Sequence, residues 1–134
     1  MKDLVKYEIS KKLQEKGFPQ HWAEVFYADG DGMWVEDFST EEPTFKAGEL
    51  IINYYGLPTD GSEVAAPTIY RVMEWLRNYK NIHIEIRLFS KNSFGFDIIR
   101  IDDMKKLGWS GTVTYPRYEL CAVSAINYVI DNFI

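Results

Sequence analysis

The residues of this chain that could do chemistry are few and scattered. Asp29-Gly30-Asp31-Gly32 resembles the start of a calcium loop, because alternate carboxylates can offer oxygens to one hard cation. The EF-hand pattern then requires Asp or Asn where Met33 stands, and its bidentate Glu is also missing from the closing position. An ordinary hairpin turn is the preferred reading. His21 and His83 are the only histidines and Cys121 the only cysteine, so no His-x-x-x-His or Cys-x-x-Cys exists to hold zinc. Cys121 lies in an apolar run, where burial raises a thiol pKa and opposes nucleophilic use. Glu41-Glu42 and Asp102-Asp103 are adjacent carboxylates, and sequence neighbours seldom converge on one substrate. Phosphate-cradling glycine loops and the Gly-x-Ser-x-Gly elbow are absent. The expectation is a chain without catalytic activity, metal or cofactor.

Two groups remain. The aromatic side chains Trp22, Phe26, Tyr27, Trp34 and Phe38 flank the Asp-Gly turn and form the candidate partner-binding surface, since aromatics on a short hairpin suit partner anchoring. Closing the core over a sheet is the competing use of the same side chains. The basic pairs Lys11-Lys12 and Lys105-Lys106 are short, and a net charge of −5 opposes binding to nucleic acid or anionic membranes.

These groups need elements to position them. Val5, Ile9 and Leu13 predict a helix over residues 3–16, closed by Gly17 and kept closed by Pro19. Residues 22–28 and 33–38 read as a hairpin around the Asp-Gly turn. Residues 39–65 read as irregular, apart from a short strand within 49–55, with 59–66 the turn-rich and most mobile part.

The second half is more regular. Ile69, Val72, Met73 and Leu76 form one helical stripe behind Thr68, a capping residue. The period then changes to two. Ile82, Ile84, Ile86 and Leu88 take one face of a strand and His83, Glu85 and Arg87 the other. Residues 94–101 return as a strand whose alternation slips, as a bulge would make it do. Residues 111–115 read as a third strand. Residues 116–133 read as a closing helix, apolar nearly all round, which must therefore be covered on more than one side.

The architecture expected is α+β: a small antiparallel sheet packed with helices, in the order helix, strand, strand, strand, helix. A length of 134 residues fits a single domain, divided here into 1–38 (helix and aromatic hairpin), 39–65 and 66–134 (the α+β core). No apolar run is long enough to cross a membrane, the first residues lack a secretory h-region, and one cysteine fits a reducing compartment. A cytoplasmic location is expected. The apolar closing helix also suggests a homodimer through that helix.

Three segments carry a resemblance. Tyr7-Glu8-Ile9-Ser10-Lys11-Lys12-Leu13-Gln14-Glu15-Lys16-Gly17-Phe18 resembles the opening helix of a group of small uncharacterised proteins of Bacteroides-type genomes, phages and prophages. Ala66-Pro67-Thr68 to Trp75-Leu76-Arg77, followed by Ile82-His83-Ile84, resembles that group's central helix and strand, and Tyr118-Glu119 to Ala125-Ile126 its closing helix. The second half is similar, more weakly, to the phage ABA sandwich domain. The resemblance spans residues 5–18 and 66–134 and implies a mobile-element origin. It implies no catalytic residues, because the group has no established activity. The function expected is an accessory or protein-interaction protein. The alternative is a small nucleic-acid-binding factor or enzyme using Asp29, Asp31, His83 or the lysine pairs.

Overall fold

A computed structural model of the chain describes residues 3–29, 47–51 and 63–134. The fold is α+β, and the described residues form three α-helices and two three-stranded antiparallel sheets. It divides into two compact units, one of Leu4–Pro67 and the other of Thr68–Ile134 with the residues up to Asp3.

In the first unit, helix α1 (Tyr7–Glu15) starts four residues later than its apolar spacing predicts. Asp3 adopts φ 68°, and Val5 N–H donates to Pro67 O at 2.9 Å, so the chain before the helix is committed to other bonds. Its end follows the sequence. Gly17 takes φ 90°, Gly17 N–H donates to Gln14 O at 3.1 Å, and Phe18 N–H reaches Leu13 O at 2.9 Å. This is a Schellman motif, completed by burial of Leu13 and Phe18. A single 3-10 turn (Gln20–Trp22) then leads to β1 (Phe26–Ala28), which is central in the order β2-β1-β3. Strand β2 is Leu50–Ile51 and β3 is Glu63–Ala65.

Residues 63–65 therefore correct the expectation of an irregular, mobile stretch. Val64 and Ala65 are buried and paired with Tyr27 and Phe26. A three-residue strand is too short to show alternation, so its pairing is invisible in sequence. The strand expected over 33–38, the tip of the hairpin, and most of the 39–65 segment lie outside the described residues.

In the second unit, helix α2 (Ile69–Tyr79) begins where predicted, with Thr68 Oγ1 accepting from Arg71 N–H at 3.1 Å. Asn81, at φ 61°, turns the chain directly into β4 (Ile82–Ser90). A two-residue turn joins β4 to β5 (Ser93–Arg100), which is central in the order β4-β5-β6. Strand β6 is Lys105–Trp109, not the expected 111–115. The first two residues of β6 are charged and its fourth is Gly108, so no apolar alternation marks it. From the expected region only Tyr115 pairs, exchanging both backbone bonds with Phe94 at 2.9 Å. The slip expected in β5 is a register shift against β6 between Ile98 and Ile99.

Helix α3 (Tyr118–Asn132) closes the chain and packs on β5, β4 and α2. Its buried residues Cys121, Ala122, Ala125, Ile126, Val129 and Ile130 occupy one continuous half of the helix, which the sheet and α2 share in covering, while Leu120, Val123 and Tyr128 on the rest are half-buried. Gly108 lets the helix approach closely, because a Cβ there would lie 2.7 Å from the Tyr128 ring. The Cys121 thiol is fully buried, and that burial pushes its pKa up to about 11.

Candidate functional site

The alternation of backbone bonds in an antiparallel pair decides which way each strand residue points its N–H and C=O. Ile101 N–H donates to Asn81 O at 3.0 Å, so bonding between β4 and β5 continues at His83 with Ile99, Glu85 with Asp97, and Arg87 with Gly95. The far side of β5 agrees: Phe94 bonds Tyr115, and Phe96 O accepts from Ser110 N–H at 2.9 Å. Ile82, Ile84, Ile86 and Leu88 consequently turn their peptide groups away from β5. On that side β4 has no strand partner among the described residues.

A groove of about 680 Å³ lies there. Four consecutive β4 residues, His83, Ile84, Glu85 and Ile86, line it, which requires a groove running along the strand edge rather than over one face. Its wall is a flank of α2 (Ile69, Tyr70, Met73 and Arg77), and Asp3, Tyr118 and Glu119 also border it. Ile84 is buried and Ile86 half-buried, while Tyr70, Leu88 and Tyr118 are among the most exposed large apolar side chains described. Asp3, Glu85 and Glu119 set three carboxylates against the single guanidinium of Arg77, and none of the four forms an ion pair among the described residues.

The sheet's other edge is built differently. Strand β6 is five residues long, interrupted by a register shift, and opens with Lys105 and Lys106. Short length, bulges and lysine are the devices that discourage strand addition. Lys106 also reaches inward, with Nζ 3.4 Å from Asp97 Oδ1 and 5.6 Å from the Trp109 ring centre. Asp97 is buried, and Arg87 approaches its Oδ2 as an ion pair without hydrogen-bond alignment.

The residues singled out from sequence are dispersed. His83 is half-buried in the groove, two positions from Glu85 on the same strand face. Asp29 is engaged elsewhere, its Oδ1 accepting from Tyr7 Oη at 2.9 Å and lying 3.0 Å from Lys11 Nζ. The Lys11 ammonium holds the Asp29 carboxyl below its usual range, and burial, with Asp29 second, raises the Tyr7 hydroxyl. A cation placed at Asp29 would displace or repel Lys11. Among the described residues, no three His, Cys, Asp or Glu side chains converge as metal ligands. Of the aromatics, Trp22 meets Phe18 edge-on at 5.9 Å and Tyr27 meets Tyr7 at 5.8 Å, both within the first unit. Phe26 is half-buried on β1, and Asp31, Trp34 and Phe38 lie outside the described residues.

Comparison with family models, curated proteins and solved structures found no match. The β4 edge was missed because edge position belongs to pairing order, which one strand does not encode. One signal was present: lysines crowd the segment that became β6, whereas 82–88 carries no lysine.

Proposed function

We propose that this chain is a protein-interaction protein without catalytic activity, which binds an extended segment of another protein by adding it as a fourth strand beside β4. The observation that carries this reading is the groove along an unpaired strand edge, with the peptide groups of Ile84 and Ile86 turned toward it. Main-chain bonds supply affinity in such complexes, and pockets for alternate side chains supply specificity. The exposed Tyr70, Leu88 and Tyr118 add apolar surface near that edge, whereas the described hairpin aromatics are half-buried. The accessory role of phage or prophage type rests on the resemblance of residues 5–18 and 66–134, and the genes flanking its own test that origin. A cytoplasmic setting suits its single, unpaired thiol. No helix among the described residues is long and apolar enough to cross a membrane. Self-association through α3 has less support, because Tyr118 is that helix's only strongly exposed large apolar side chain.

Ile86→Pro tests the reading. The Ile86 N–H points away from β5, so proline removes no bond of the sheet while blocking an incoming strand. The variant should keep its fold by circular dichroism and lose the host proteins retained by the wild-type chain. Retention of the same proteins by both would overturn the proposal.

A further inference from the structure

Building on strand addition at β4, we infer that the partner segment alternates apolar with basic residues, a lysine or arginine of the partner standing opposite Glu85. The pleat fixes which partner side chain meets which wall. Residues bonded opposite Ile84 and Ile86 share the face of those isoleucines, beneath the α2 flank that carries Met73. Apolar side chains fit there. The residue between them lies opposite Glu85, on the other face, where a cation gains a cross-strand ion pair and an acid meets direct repulsion.

Charge on the groove points the same way. Asp3, Glu85 and Glu119 outnumber Arg77, and all four lack an intramolecular ion pair among the described residues. Carboxylates standing free around an apolar groove raise the local concentration of cationic segments and reject acidic ones. On the opposite edge the polarity is reversed, with Lys105 and Lys106 leading β6. A basic strand is thereby drawn to β4 and turned away from β6. A second copy of this chain fits less well. Pairing two β4 strands symmetrically about the middle of the 82–88 segment sets Glu85 against Glu85 of the second copy, a like-charge pair.

The experiment uses the isotope-labelled full chain and two end-blocked heptapeptides, one alternating valine with lysine and the other alternating valine with glutamate. The lysine peptide should shift the Ile84 and Ile86 amide resonances and bind about threefold more tightly than the glutamate peptide, because Glu85 is the one carboxylate of β4 and its cross-strand pair is attractive with the first and repulsive with the second. Glu85→Lys should reverse that preference, and added salt should weaken the favoured complex. Equal binding of both peptides at the same amides would overturn the charge inference and leave strand addition standing. Failure of both peptides to move those amides would overturn strand addition itself. Concentration-dependent shifts at Ile84 and Ile86 without peptide would make a second copy the occupant, against the inference.

Discussion

The two sheets hold themselves together by different means. Strands of two or three residues in β2-β1-β3 can form only a few ladder bonds, and side chains supply the rest. Gln20 Oε1 accepts from the buried Ala65 N–H at 2.7 Å, Gln20 Nε2 donates to Phe18 O at 3.0 Å, and Tyr27 Oη donates to Val5 O at 2.7 Å. In β4-β5-β6 the strands run to nine and eight residues, and their apolar face is covered by α2 and α3. The first sheet depends on individual polar bonds, so its weak points are polar. The second depends on burial, so its weak points are apolar and steric.

The largest effect should therefore come from the second sheet. Ile84→Asp puts an unpaired carboxylate where 3% of the residue is exposed, at a cost of several kcal/mol that approaches the stability of a domain. Thermal melts should show that variant unfolded, with the neighbouring His83→Ala within about 0.5 kcal/mol of wild type. Equal, small effects would mean that the strand does not bury Ile84 as described. Gly108→Val should follow, because a Cβ meets the Tyr128 ring at 2.7 Å. Overpacking of that kind costs about 1–3 kcal/mol, and Tyr128→Ala in the same chain should recover part of it.

In the first sheet Gln20→Ala leaves the Ala65 N–H buried and without its acceptor, worth about 1–3 kcal/mol by urea denaturation. Tyr27→Phe removes one hydrogen bond and keeps the ring packed against Tyr7, so about 1 kcal/mol is expected. A loss no larger than that of an exposed control substitution would mean that these bonds do not hold the sheet.

The smallest effect concerns acid. The folded Asp29 carboxyl titrates below its unfolded value, so its contribution is present above about pH 4 and disappears as pH falls through the folded value. Asp29→Asn should flatten the fall in melting temperature between about pH 5 and about pH 3. The fall should persist in part, because the Arg100 guanidinium holds Asp103 at about 2 and that pair is lost in the same direction. An unchanged slope would remove Asp29 from the account.

The same contrast explains what the sequence made legible. Helix α2, its Thr68 cap, the faces of β4 and the closing helix could all be read, because eight or more residues of steady period outvote any single one. Strand β3 is too short to have a period, and β6 hides its own behind two lysines and Gly108. The groove was unreadable for another reason. Tyr70, Arg77 and Glu119 are each unremarkable in sequence, and only the pairing order that leaves β4 at an edge sets them around one space.

Cys121 gives the molecule a built-in clock. With a pKa of about 11, about one thiol in ten thousand is ionised at neutral pH, and the intact helix α3 admits no alkylating reagent to it. Modification must wait until α3 leaves the sheet, so the labelling rate of the unmutated chain counts openings of its second unit directly.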